Sequence, residues 1–243
     1  MEKGAIIIIG GGSRGLAKSL LDTYELKGYT RIAFHRSREV LNTRNFNFNI
    51  DEEISISKSQ DQLISILNSD EFQKFSIHFV SGGGLGVEFS DSDINSYKRV
   101  LNHNLIVPTV FTSKIFNNYY SFNNKKIELF YYSSAVVKNL GGSPYYSSAK
   151  SSLETMFKSS FLIRPEGIYM YLLRLGFVDI KHKFYHQLAI SDPKEFQRLV
   201  IDNLPSKHFT KPEEISELCQ IFSEKSNIMN GTISDISGGH SWI

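Results

Sequence analysis

Short apolar runs recur along the chain, separated by segments of mixed polarity. The runs are AIIII (5–9), RIAFH (31–35), FNFNI (46–50), SIHFV (76–80), IELFYY (127–132), IYMYLLRL (168–175) and TISDI (232–236). Their richness in β-branched and aromatic residues predicts strands. The spacers place apolar residues at helical intervals, as with Leu63, Ile66 and Leu67 or Leu153, Met156 and Phe157. Strand and helix therefore alternate. The strands read as continuous apolar runs, which implies burial on both faces, as in a parallel sheet covered by helices. The expected fold class is α/β, a Rossmann-type doubly wound parallel sheet of about seven strands flanked by helices. No repeat, Pro/Gly-rich linker or break in composition divides the 243 residues, so one domain over 1–243 is expected. The long irregular stretch 180–208 is expected to be a substrate lid or binding loop within it.

Composition narrows the function classes. With 41% hydrophobic and 21% charged residues and a net charge of +2, the chain lacks the marks of a disordered segment, a nucleic-acid site or a charged membrane surface. Its one cysteine, Cys219, excludes an internal disulfide and a cysteine-based metal cluster, and suits a reducing compartment. The N-terminal apolar run is too short for a signal peptide or a span, and no later stretch reaches about 18 apolar residues. A soluble cytoplasmic protein is expected, with neither nucleic acid nor membrane among its partners.

Candidate chemistry begins at SPYYSSAK (143–150). Tyr146 and Lys150 are four apart and share a helix face, whereas Tyr145 is five from the lysine and projects away from it. A free phenol has a pKa of about 10, and a nearby cation lowers it toward a range in which the group trades protons.

A second candidate lies where the first strand runs into GGGSRGLAKSLL, a glycine turn that opens a helix. Glycines there let backbone N–H groups approach a pyrophosphate, and the helix dipole favours its charge. Gly11, Ser13, Arg14, Gly15 and Leu16 are the expected cofactor contacts. About 20 residues further on, dinucleotide folds place the group that reads the adenosine ribose. Arg36 and Ser37 stand there, and a guanidinium suits a 2′-phosphate where an acid would suit a free hydroxyl. Arg14 can close on the same phosphate. NADP(H) is expected ahead of NAD(H), the plain alternative being two solvated surface arginines.

These motifs together resemble the short-chain dehydrogenase/reductase family over essentially the whole chain. Gly11-x-x-x-Gly15-x-Ala17 is similar to its glycine loop, with Ala17 departing from the usual final glycine, and GTISDISGGH resembles its last strand and Gly-Gly turn. The resemblance implies a ketoreductase-like oxidoreductase acting on a carbonyl or secondary alcohol. Tyr146 would be the general acid/base, Lys150 would lower its pKa and hold the nicotinamide ribose, and Asn104 in VLNHNLIVP would match the family's asparagine. The catalytic serine falls in YYSSAV, as Ser133 or Ser134. Neighbours in a strand point to opposite faces, so only one can meet the phenol, and Ser134 is preferred.

Pro108 leaves the carbonyl of Asn104 without its usual helical donor. In the family a water at that point links the lysine to solvent; a simple kink is the other reading. Ser81-Gly82-Gly83-Gly84 replaces the family's N-N-A-G, with Gly82 and Gly83 as expected cofactor contacts. LGFVDI lacks the family's Pro-Gly and threonine, which leaves backbone groups of Gly176 and Val178 to take that role. His182 and His186, four apart without an evident third ligand, are read as surface residues. The resemblance also implies a homodimer or homotetramer paired through the helices that carry the asparagine and the tyrosine. The function from another class is a non-catalytic NADP(H)-binding sensor or structural subunit of the same fold.

Overall fold

In the computed structural model, residues 3–36, 39–80, 93–139, 142–181 and 183–242 are described. Strand β1 (Gly4–Ile9) is buried throughout, and its alternating side chains feed two cores. Ala5, Ile7 and Ile9 join one hydrophobic cluster while Ile6 and Ile8 join another on the opposite face. A strand buried on both faces needs helices on both sides.

The remaining elements supply them. Helix α1 (Gly15–Glu25), β2 (Thr30–His35), β3 (Arg44–Asn47), α2 (Glu53–Asn68) and β4 (Lys74–Phe79) form the first half. Helix α3 (Ile94–Leu101) runs through a π-helical turn (Asn102–Ile106) into α4 (Val107–Asn118). Then come β5 (Lys126–Ser134), α5 (Val136–Asn139), α6 (Pro144–Ile163) and β6 (Ile168–Leu175). The chain closes with α7 (Phe184–Ser191), α8 (Pro193–Phe196), α9 (Pro212–Glu224), α10 (Ser226–Met229) and β7 (Ile233–Ile236). All pairings are parallel in one seven-stranded sheet of order β3-β2-β1-β4-β5-β6-β7. Order reverses direction between β1 and β4, the crevice at which such sheets bind ligands. Helices α2, α4 and α6 cover one face; α1 and α9 cover the other.

Two expectations need correction. The third strand is Arg44–Asn47, not 46–50, because its partner β2 runs out where His35 pairs with Asn47. Phe48 keeps one bond to the His35 carbonyl at 3.0 Å, then turns inward, where its ring meets Phe111 with centroids 5.7 Å apart. The stretch 180–208 is not irregular either. It holds α7, α8 and a π-helical turn (Gln197–Ile201), yet neither short helix buries a residue. Val200 and Leu204 anchor the segment to the body. A parallel bridge between Val178 and Thr210 closes its base. No helix among the described residues is long and apolar enough to cross a membrane.

Candidate functional site

The carboxyl ends of the central strands gather the side chains with chemistry. Leaving β1, the chain enters the glycine turn, which is tied to β2 by a 2.9 Å bond from Gly10 N–H to the Phe34 carbonyl. At Gly12 a Cβ would lie 2.8 Å from Val40 Cγ2 and 3.2 Å from Ala33 Cβ, so only bare backbone fits. Gly15 opens α1 at φ +57°, a conformation that favours glycine, and Ile180 covers it with Cγ2 3.0 Å from where its Cβ would stand. The Arg14 side chain makes no capping bond to the first turn of α1, and no acid occupies that turn. Those first-turn N–H groups have no intrahelical acceptor, so with the helix dipole they form an anion cradle. Gly11 lines this turn, Leu16 is buried in the helix behind it, and Ser13 and Arg14 are exposed beside it. The cradle fits the pyrophosphate of a dinucleotide.

Arg36, at the end of β2, points its Nη1 to within 3.7 Å of Asp51 Oδ2. Ser37, Gly82, Gly83 and His182 lie outside the described residues, as do Ser81 and Gly84. Gly176 donates its N–H to the Ile236 carbonyl at 3.4 Å, and Val178 sits in the bridge to Thr210.

Strand alternation separates the two serines that end β5. Ser133 Oγ donates to Glu154 Oε1 at 2.8 Å, and Arg174 grips the same carboxylate with two bonds of 2.7 Å. Ser133 therefore braces α6 against β6. The Ser134 side chain instead faces the Tyr146 phenol. Burial pushes that phenol up to about 12, and Ser134 pulls the other way.

Lys150 lies one helix turn beyond this phenol. Its Nζ lies 5.5 Å from the Tyr146 ring centroid and donates at 2.6 Å to the carbonyl of Tyr132. Burial lowers the lysine to about 7. Burial is the largest influence on both groups. Tyr145 turns away from this group and packs on Tyr97, with ring centroids 4.7 Å apart.

Asn104 is buried in the π-helical turn, where its Nδ2 donates to the Val100 carbonyl at 2.8 Å. Val107 N–H reaches five residues back to the Asn102 carbonyl, and Pro108 has no N–H for Asn104. The backbone answers the proline with a widened turn rather than a bare kink. Helix α6 packs on that turn, which brings Asn104 to the element carrying Tyr146 and Lys150.

Three contributors escaped the sequence. Glu154 is one turn past Lys150 and the only acid of α6, a signal that was available. Ile180 and Asp51 carried none, because their partners are remote in sequence. His186 Nδ1 meets Asp179 Oδ1 at 2.6 Å, and no group of metal-ligating side chains occurs among the described residues.

No protein-family model matches the sequence, and no curated protein matches it. Solved structures do. A 4-hydroxyisoleucine dehydrogenase complexed with NADH superposes with a TM-score of 0.82 at 15% identity, covering 98% of this chain and 99% of that one. A short-chain dehydrogenase/reductase from Serratia marcescens gives 0.78 at 15% identity over 98% of both chains. A 3-ketoacyl-(acyl-carrier-protein) reductase from Brucella melitensis complexed with NADH gives 0.77 at 15% identity over 98% and 99%. At these identities the likeness speaks for architecture. The chain has the fold of the short-chain dehydrogenases/reductases from end to end.

Proposed function

We propose that the protein is an NAD(P)-dependent oxidoreductase that interconverts a carbonyl and a secondary alcohol, with NADP(H) preferred. The observation that carries this reading is the meeting of Ser134 with Tyr146, one helix turn before Lys150, at the sheet end that also holds the glycine cradle. The bound nicotinamide supplies or accepts the hydride.

Every other step belongs to the chain. The first-turn N–H groups of α1, with Gly11, Ser13 and Arg14, hold the pyrophosphate; Arg36 reads the adenosine ribose. Ser37, Gly82 and Gly83 complete the expected contacts, and backbone groups of Gly176 and Val178 serve the far end. Ser134 orients the substrate oxygen toward Tyr146. As the carbon gains hydride, the phenol O–H bond breaks and its proton passes to that oxygen. The resulting phenolate takes a proton from Lys150, and the lysine regains one from solvent through a water held at the Asn104 carbonyl, to which Pro108 offers no N–H. Burial favours the protonated form of the phenol, the form that donates to a substrate oxygen. Tyr145, packed on Tyr97, forms pocket wall.

The protein acts as a soluble cytoplasmic homodimer or homotetramer. A groove of about 570 Å³ between α4 and α6, lined by Leu105, Ile106, Val110, Ser152 and Met156 among others, supports pairing through those helices.

The decisive test is a panel of ketones, aldehydes and alcohols assayed with NADPH and NADH side by side. Tyr146→Phe is expected to lower kcat by at least about 10²-fold through loss of the acid, while Tyr145→Phe retains most activity. Unchanged turnover in Tyr146→Phe sinks the proposal. Tight NADPH binding without turnover on any substrate points instead to a nucleotide sensor.

A further inference from the structure

Arg36 is one of three nitrogen-bearing side chains that converge on a single carboxylate. Asp51 follows β3 and presents Oδ2 to Arg36 Nη1 at 3.7 Å and to Arg99 Nε at 3.8 Å. Its Oδ1 lies 3.5 Å from His103 Nε2. These partners come from separate elements: Arg36 from the end of β2, Arg99 from α3, and His103 from the π-helical turn that carries Asn104.

The convergence has two unusual properties. Charge-assisted N–H···O bonds normally measure about 2.7–2.9 Å, and none of these approaches is that short. The Arg36 and Arg99 side chains are also 59% and 64% exposed, and ion pairs so placed are weakly held. The guanidiniums are therefore easily redirected. Two of them face one carboxylate, so the cluster carries excess positive charge even with His103 neutral. Burial lowers the His103 pKa, Asp51 opposes that, and Arg99 and Arg36 reinforce it. A second anion arriving here would be balanced by groups that Asp51 alone does not satisfy.

We propose that Arg99 and His103 form a second arm of the site that reads the 2′-phosphate of NADP(H), and that Asp51 is the internal counter-ion which this arm exchanges for the phosphate. The inference rests on the NADP(H) reading of Arg36. The 2′-phosphate offers three acceptor oxygens and close to two negative charges, enough for both guanidiniums to make short bonds. With a free 2′-hydroxyl there is nothing to draw the cations from Asp51. The carboxylate then remains to accept a bond from the hydroxyl, so Asp51 works against NADP(H) and in favour of NAD(H). Its place among the cations makes it a specificity-determining residue with the opposite sign to theirs.

The test is equilibrium binding of NADPH and NADH to the full-length protein, followed by nicotinamide fluorescence, with circular dichroism to verify that each variant is folded. Arg99→Gln is expected to weaken NADPH roughly tenfold, as loss of one charged phosphate contact does, and to leave NADH within about twofold. Asp51→Asn is expected to move the other way, tightening NADPH and weakening NADH. Competition by 2′-AMP should weaken in Arg99→Gln, while competition by 5′-AMP should not. Equal effects of Arg99→Gln on both dinucleotides, or an unchanged NADPH/NADH ratio in Asp51→Asn, overturn the proposal. If Arg36→Gln abolishes a preference for NADPH while Arg99→Gln and Asp51→Asn leave it intact, the second arm alone is refuted. A wild-type preference for NADH refutes the NADP(H) reading, and this inference with it.

Discussion

The two faces of the sheet are built on different principles. Beneath α2, α4 and α6 a large apolar cluster that includes Leu63, Phe111, Ile115, Leu129, Leu153 and Phe157 dominates, and its polar contacts are local ones such as Thr112 with Tyr131 and Ser133 with Glu154. Beneath α1 and α9 a polar seam runs through the core. Glu128 accepts from Ser223 at 2.6 Å and lies 2.9 Å from Lys126 and 3.3 Å from Lys74. Ser223 reaches Tyr24 at 3.5 Å, and Ser76 donates to Tyr24 at 3.2 Å. Ser76 also meets His78 Nε2 at 2.9 Å, and His78 Nδ1 meets the Tyr132 hydroxyl at 2.7 Å.

Dispersion and water exclusion hold the first face, and its contacts tolerate small adjustments of position. The second tolerates less. A buried polar group costs free energy unless its partner is in place, so the seam is favourable only while it is complete. The Tyr132 residue that ends the seam also offers Lys150 its carbonyl. Order in this face therefore bears on the candidate site, whereas the apolar face bears chiefly on overall stability.

Three measurements test that contrast. Phe111→Ala removes a fully buried ring from the apolar face. It should lower unfolding free energy by about 3–5 kcal/mol in urea, with the slope unchanged. A loss below about 1 kcal/mol would mean that this face is not the main store of stability. The seam should show itself next, in acid. His78 is held near 3 by burial, against an ordinary 6.5 once unfolded. The unfolded chain thus binds one more proton below 6.5, so this contribution is full above that pH and declines as pH falls toward 3. The slope is about 1.4 kcal/mol per pH unit, or roughly 2–3 kcal/mol by pH 4.5. His78→Gln should flatten this limb, and an unaltered acid limb would remove His78 from the account. The smallest effect is expected from Tyr132→Phe, which deprives His78 Nδ1 of its partner at a cost of about 1–3 kcal/mol. Greater stability in that variant would show the seam to be slack.

The same contrast explains what the sequence disclosed. AIIII and most of IYMYLLRL announce buried parallel strands through their continuous apolar runs, and both appear at the expected places. SIHFV and IELFYY look equally continuous, yet Ser76, His78 and Glu128 point into one core and are entirely buried. Their satisfaction depends on Tyr24 and Ser223, which no local pattern links to them. The third strand shifted because its ladder ends with its neighbour, a constraint outside its own residues. At the site, helical spacing put Tyr146 and Lys150 on one face, and only the resemblance gave that pair a role. The choice between Ser133 and Ser134 needed Glu154 and Arg174, and the company of Asp51 needed residues 99 and 103 brought across the chain.

The bridge between Val178 and Thr210 carries a consequence for descent as well as for shape. Asp179 N–H also bonds the Thr210 carbonyl at 2.8 Å, so the segment leaves the body and returns to it at adjacent points. Closure of such a loop varies only slowly with its length. Apart from the buried Val200 and Leu204, the residues between can be lengthened, shortened or replaced without disturbing strand register. The segment is thus an exchangeable module, open to divergence at a pace of its own while the sheet stays unchanged.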